Sequence, residues 1–259
     1  MLGAIAGDVI GSVYEGRPIK SEKFPLFAAD AVFTDDTVLT AATAWAILHR
    51  EPYERAYQTF GRKYPHAGYG GTFIGWIHSD DPRPYNSWGN GSAMRVSPVG
   101  FAFDDEETVL AEARRSAEVT HNHPEGIKGA QATALTIFLA WKGADKAAIR
   151  DAISERFGYD LDRRLKNIRP GHRFDVSCQG SVPEAMIAFF DSANYEDAVR
   201  KAISLGGDAD TQACIAGGIA QAFYGGVPKT IAEETRKRLP EEFLDILAQF
   251  EKRFPAAAP

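Results

Sequence analysis

Apolar residues recur along most of the chain at intervals of three and four, the period of a helix that buries one face. Between residues 37 and 50, Val38, Ala41, Trp45 and Leu48 share a face, and Tyr53, Ala56, Tyr57 and Phe60 repeat the pattern after a short break. Ile127, Ala130, Ala134, Phe138 and Trp141 predict a long helix; Ile149, Ile153 and Phe157 predict a shorter one. Ser181-Val-Pro-Glu184 has the form of a capping box with proline in the first turn, predicting a helix that opens there and runs through Phe190. Asn194 predicts the cap of the next helix, which carries Ala198, Val199, Ala202 and Ile203, and helices over 212–223 and 241–250 complete the set. Alternating β-branched runs are almost absent. The expected fold is therefore all-α, a single compact orthogonal many-helix domain over residues 1–254 with a frayed tail at 255–259.

Gly3, Gly7 and Gly11 follow one another every four residues. On a helix they line one face and admit a second backbone at close range. Since glycine costs about 1 kcal/mol against alanine in a helix interior, their spacing reads mainly as packing.

Composition changes this picture little but excludes several classes. The chain has 259 residues, 44% hydrophobic and 25% charged, values of an ordinary globular protein. Its net charge of −6, from 29 Lys+Arg against 35 Asp+Glu, argues against a broad footprint for nucleic acid or anionic lipid. Two cysteines, Cys178 and Cys214, lack metal-ligand spacing and fit a reducing compartment. Met1 to Ile10 lacks a basic leader and is interrupted by Asp8, so no signal peptide is expected, and no apolar run has the length of a membrane span. A cytoplasmic location follows as the expectation.

Two acidic clusters carry the chemistry. Thr34-Asp35-Asp36-Thr37 precedes one amphipathic helix, and Gly206-Gly207-Asp208-Ala209-Asp210-Thr211 precedes another. Capping accounts for one Asp per helix start, but two neighbouring carboxylates repel and are pushed towards protonation unless a counter-charge is present. Four Asp carboxylates would be neutralised by two hard divalent cations, with Thr34 and Thr211 adding neutral oxygens. The lack of His and Cys in both clusters argues against zinc.

Between them lie the glycine-rich stretches Gly68-Tyr-Gly-Gly71 and Asn86-Ser-Trp-Gly-Asn-Gly-Ser92, which read either as an anion cradle or as ordinary turns. Trp88 can stack on a base or sugar, or pack inward. In Thr120-His121-Asn122-His123-Pro124, His121 is a candidate partner for a phosphate or hydroxyl and His123 a turn residue. Glu15, before Gly16-Arg17-Pro18, is a candidate acid/base or a solvated loop charge. Arg163, Arg164, Lys166, Arg169 and Arg173 form the chain's basic patch, either a solvated loop or an attractor for an anionic substrate.

Together these residues resemble the ADP-ribosylglycohydrolase family. Gly3-Ala-Ile-Ala-Gly-Asp8, Tyr14-Glu15, Thr34-Asp-Asp-Thr37, Gly89-Asn-Gly91 with Met94-Arg95, Thr120-His121 and Gly207-Asp-Ala-Asp-Thr211 occur in the family's order across nearly the whole chain. The resemblance implies a binuclear cleft holding two divalent cations, Mg²⁺ or Mn²⁺. Thr34, Asp35 and Asp36 would ligate from one side, and Asp208, Asp210 and Thr211 from the other. It further implies that Ser87, Trp88, Gly89, Asn90 and Gly91 hold the diphosphate and nearby ribose, with His121 beside the substrate and Glu15 on a flexible flap. The implied reaction hydrolyses the glycosidic bond between the distal ribose of ADP-ribose and an acceptor, through an oxocarbenium-like transition state that carboxylates stabilise. Asp36 and Glu15 are the candidates for proton handling. The expected partner is an ADP-ribosylated protein or a small ADP-ribose conjugate, with nucleic acid only as a modified substrate and the chain itself a monomer. Two alternatives remain: a non-catalytic ADP-ribose-binding or structural protein on the same fold, and a metal-dependent phosphohydrolase suggested by Asp-x-Asp-Thr.

Overall fold

In the computed structural model, residues 1–255 are described; of the tail expected at 255–259, residues 256–259 lie outside them. The chain opens with α1 (Leu2–Glu15), α2 (Asp35–His49), α3 (Tyr53–Lys63), α4 (Gly71–Ile77) and α5 (Gly91–Met94). It continues with α6 (Ser97–Ala102), α7 (Glu106–Glu118), α8 (Pro124–Trp141), α9 (Lys146–Phe157) and α10 (Leu165–Ile168). The last third holds α11 (Cys178–Phe190), α12 (Tyr195–Ser204), α13 (Ala209–Phe223), α14 (Lys229–Arg236) and α15 (Glu241–Arg253). The all-α expectation holds: among the described residues the only bridge is an isolated pair between Gly89 and Ser177. No helix among them is long and apolar enough to cross a membrane.

At the centre, α13 packs against α1, α8, α11 and α12, and its residues from Ala209 to Ala220 are all buried. The glycine spacing explains how α1 fits there. A β-carbon on Gly3 would stand 2.5 Å from the Gly217 carbonyl oxygen, and one on Gly7 only 2.0 Å from that of Ala213. Only glycine allows that approach.

Caps place most helix starts as local chemistry dictates. Asp105, Asp145 and Asn194 accept from the backbone N–H groups of Thr108, Ala148 and Asp197 at 2.8–2.9 Å, closing α7, α9 and α12. One expected start is corrected. Ser181-Val-Pro-Glu184 does not open a helix; α11 begins at Cys178, where the Ser177 hydroxyl accepts from the Gly180 N–H at 3.1 Å. The cause is the extended pairing around the Gly89–Ser177 bridge, in which Asn90 N–H donates to the Val176 carbonyl (2.7 Å) and Cys178 N–H to that of Trp88 (2.9 Å). Helix growth can start as soon as that pairing ends. Pro183 consequently sits in the helix interior, and Glu184 pairs with Arg163 at 2.7 Å instead of closing a box.

Candidate metal and substrate cavity

The two acidic helix starts, 175 residues apart at Asp36 and Thr211, meet in space: the Thr211 hydroxyl lies 3.3 Å from Asp36 Oδ2. Thr34 caps α2, its side chain accepting from the Asp36 N–H. At the other start, Gly206 and Gly207 have φ of 65° and 95°, left-handed values that turn the chain from α12 into α13. A β-carbon on Gly207 would also meet the Arg173 carbonyl oxygen at 2.8 Å. No strand precedes Asp208, which removes the structural context a phosphohydrolase Asp-x-Asp-Thr motif requires.

Asp8 is the residue that sequence reasoning left without a role. It is fully buried on α1, and its carboxylate accepts from the Thr34 N–H (2.9 Å) and hydroxyl (2.7 Å), the Thr37 N–H (3.1 Å) and the Thr37 hydroxyl. With three donors on one oxygen and one on the other, Asp8 clamps the start of α2 in place. The available signal was a lone Asp inside an apolar helix, a charge that burial tolerates only with dedicated partners.

Carboxylate oxygens of Asp8, Asp36 and Asp210 lie within 4.8 Å of one another, as do those of Glu15, Asp208 and Asp210. Asp36 Oδ1 is buried with no hydrogen-bond partner. Asp35, half-buried, lies outside these two triads but lines the same cavity: its backbone N–H donates to the Ala67 carbonyl at 2.7 Å, and its Oδ1 faces Gly68. Glu15 ends α1 instead of lying in a loop, and it is exposed.

The electrostatics of this crowd are adverse. Burial, reinforced by the charges of Asp8 and Asp208, pushes the Asp35 carboxyl up to about 8. Burial likewise raises Asp8 to about 6, against the lowering effect of its four hydrogen bonds. Asp36 and Asp210 are driven well above the usual carboxylate range, by burial first and neighbouring carboxylates second. Glu15 is raised by burial and by the Asp208 and Asp8 charges. An all-oxygen donor set with an orphaned buried oxygen and mutually repelling carboxylates fits hard divalent cations, which supply the missing counter-charge.

Glu15, Asp35, Asp36, Asp208 and Asp210, with Asp8 buried behind them, line a cavity of about 500 Å³, shared with Ser87, Gly89, Asn90, Gly91, His121, Tyr85, Phe174 and Val176. The glycine turn is partly engaged inside the protein. Gly89 N–H donates to Ser87 Oγ at 3.1 Å, and Asn90 N–H to Val176. Both amide hydrogens of Asn90 are used as well, towards Ser181 Oγ (3.0 Å) and Asp208 Oδ2 (2.7 Å), so its side chain orients a carboxylate. Trp88 is not part of the cavity lining; it is 53% exposed, edge-on to His123 at 5.6 Å. His123 is the α8 cap, accepting from the Glu125 N–H. His121 is buried, and burial with the Arg95 charge nearby holds its imidazole well below its ordinary pKa. Sequence reasoning missed Phe174 and Val176, both more than half exposed at the cavity; two apolar residues among Arg173, Asp175 and Ser177 were the available signal. In the basic patch, Arg163 and Arg169 are paired with Glu184 and Glu22.

The model of the ADP-ribosylglycohydrolase family matches residues 1–257. Among similar proteins, ADP-ribosylhydrolase ARH3 of Gallus gallus is 27% identical, covering 87% of this chain and 84% of its own length. ADP-ribosylarginine hydrolase Tri1 of Pseudomonas putida (strain GB-1) is 26% identical, covering 97% of this chain and 78% of its own. A solved structure described as an ADP-ribosylglycohydrolase-related protein complex superimposes with a TM-score of 0.74 at 26% identity, covering 97% of this chain and 96% of that one. With a family model spanning nearly its whole length, the chain belongs to the ADP-ribosylglycohydrolase family.

Proposed function

We propose that this chain is a divalent-cation-dependent ADP-ribosyl hydrolase that cleaves the bond between the distal ribose of ADP-ribose and an acceptor. The observation that carries this reading is the meeting of the two distant acidic helix starts around one cavity, with Asp36 Oδ1 unpaired among repelling carboxylates. Thr34, Asp36, Asp208, Asp210 and Thr211 would hold two cations, Mg²⁺ or Mn²⁺, with Asp35 and Glu15 at the edge of the set. When bound, the cations would supply positive charge that orients ribose hydroxyls and favours deprotonation of water.

The chain's own residues divide the remaining work. Asp8 fixes the start of α2 through Thr34 and Thr37, so the Asp36 carboxylate does not reorganise as charge develops. Asn90 does the same for Asp208. Carboxylates stabilise the positive charge that grows on the anomeric carbon as the glycosidic bond breaks. Asp36, buried, and Glu15, exposed at the cavity edge, are placed to hold or move a proton of the attacking water. His121 and Ser87, both in the cavity lining, face the conjugate's phosphates or hydroxyls.

Defined ADP-ribose conjugates (arginine-linked, serine-linked and O-acetyl) assayed with Mg²⁺, Mn²⁺ or chelator test the reading by release of free ADP-ribose. Asp36→Ala is expected to lower that release about 10²–10³-fold while helical content is retained, the scale of losing a transition-state contact. Undiminished turnover in this variant, or turnover indifferent to chelator, would overturn the assignment.

A further inference from the structure

His121 stands at the end of a buried hydrogen-bond chain that begins on a guanidinium. Arg95 is fully buried, with its guanidinium carbon 4.1 Å from the centre of the Tyr57 ring. Its Nη2 donates to the Ser116 carbonyl at 2.9 Å and to Thr120 Oγ1 at 2.8 Å. Thr120 Oγ1 in turn lies 2.7 Å from His121 Nδ1.

The direction of every proton in this chain follows from donor counting. Arginine only donates, so the Thr120 oxygen is the acceptor in the first link. Thr120 is fully buried, and its single hydroxyl hydrogen must reach an acceptor or remain unpaired in the interior. Of its two bonded neighbours, His121 Nδ1 is the one able to accept. The hydroxyl therefore donates to Nδ1, and the neutral ring carries its hydrogen on Nε2. The opposite tautomer would aim a ring N–H at the hydroxyl and strand the Thr120 hydrogen.

Nε2 faces the glycine turn. A β-carbon on Gly91 would stand 3.1 Å from it and one on Gly89 3.4 Å away, so these glycines leave its approach to the cavity open. Burial and the Arg95 charge keep the ring uncharged, consistent with a donor that is not an acid.

We propose that Arg95 and Thr120 are positioning residues that fix His121 as a neutral Nε2–H donor to a phosphate or hydroxyl oxygen of the bound conjugate. The proposal rests on the preceding reading that the cavity takes an ADP-ribose conjugate. A ring in the other tautomer would turn a lone pair towards that oxygen, repelling a phosphate oxygen and leaving a hydroxyl only the role of donor. Gly89 and Asn90 engage their own N–H groups inside the protein, which leaves this donor correspondingly more of the recognition.

The tautomer is read directly by long-range ¹H–¹⁵N NMR of the full chain labelled at its six histidines, with His121→Gln locating the signal. A neutral Nε2–H ring at pH 7 is expected; an Nδ1–H or doubly protonated ring would overturn the relay. Thr120→Val removes the hydroxyl at nearly constant shape. It is expected to yield mixed tautomers and a KM for the conjugate roughly tenfold higher, the scale of one hydrogen bond, with kcat within about twofold. Thr120→Ser should restore both readouts. A folded Thr120→Val protein with a pure Nε2–H ring and unchanged KM would also overturn the proposal. The spectrum of the unsubstituted chain decides the relay even where Thr120→Val does not fold. Absence of hydrolysis would remove the functional reading and leave the tautomer standing, whereas an Nδ1–H ring would remove the relay and leave hydrolysis intact.

Discussion

Along the seam between α1 and α13, Gly3 and Gly7 lie against the carbonyls of Gly217 and Ala213 with no space for a β-carbon, and every residue from Leu2 to Gly11 is buried. Farther along the same pair of helices, Gly11 faces Asp210, and the surroundings change from apolar contact to Asp8, Asp36, Asp208, Asp210 and Glu15. One stretch of helix pairing thus holds tightly complementary backbones, and its end holds carboxyls of which Asp8, Glu15, Asp36 and Asp210 are pushed above their ordinary range. The contrast separates the source of stability from the source of function. The seam brings two helix backbones into contact with no space for a β-carbon between them, and that close packing keeps the repelling carboxylates in place for a cation to join. A loosely packed support would let the acids move apart and lose the binding energy stored in their proximity.

The largest effect is expected from breaking the seam. Gly7→Val places a β-carbon 2.0 Å from the Ala213 carbonyl, where backbone atoms must move apart. A destabilisation of about 3 kcal/mol or more is expected, the upper range of overpacking. That corresponds to a melting temperature lower by about 6 °C or more for a chain of this size. Thermal unfolding followed by circular dichroism checks it, and a melting curve like that of the unsubstituted chain would show that the seam is not the rigid support described here.

The next effect isolates the acidic end. Asp35 and Asp8 have carboxyls raised to about 8 and about 6 in the folded chain, whereas in the unfolded chain they return to the ordinary value near 3.8. Between roughly pH 4 and 8 the folded state therefore holds more protons than the unfolded one, and the stability of the cation-free protein falls as pH rises. Saturating Mg²⁺ or Mn²⁺ at about a hundred times Kd should add about 2.7 kcal/mol, or roughly 5–10 °C. At one fixed cation concentration the gain should be larger at pH 8 than at pH 5, because proton competition raises Kd at the lower pH. Melting temperatures with cation and with chelator at both pH values test this. A cation effect that is equal at the two, or absent, contradicts the cluster's role.

The sequence revealed the two regions to different depths, for physical reasons. Helices such as α8 and α9 were legible because apolar period is a local signal. The acidic starts at Asp35-Asp36 and Asp208/Asp210 were legible because two carboxylates exceed what a cap needs. Asp8 was not, since the donors that justify its burial lie 26 and 29 residues away at Thr34 and Thr37. The true start of α11 was hidden because the Gly89–Ser177 pairing that sets it joins distant segments. Phe174 and Val176 were masked by the polar residues Arg173, Asp175 and Ser177 that alternate with them. Asn90 was legible as part of a glycine-rich turn, but its partners Ser181 and Asp208 are 91 and 118 residues away, so its orienting role emerged only from the fold.

Asn90 also offers the smallest and most selective test of the contrast. Its amide is the side-chain donor that reaches from the glycine turn to Asp208, and it also holds Ser181. Asn90→Ala removes both contacts, at an expected stability cost of about 1 kcal/mol. The cost to the cluster should be greater than that to the fold, because orienting partners of ligating groups are worth about 10–100-fold in metal affinity. A loss of about tenfold in Mg²⁺ or Mn²⁺ affinity by calorimetry is expected. Ser181→Ala breaks the second contact and leaves the bond to Asp208, so it should share the stability loss and keep the cation affinity. If both variants lost affinity equally, the Asn90 amide would be a packing element of the turn, and the line between rigid support and charged end would run through Asp208 itself.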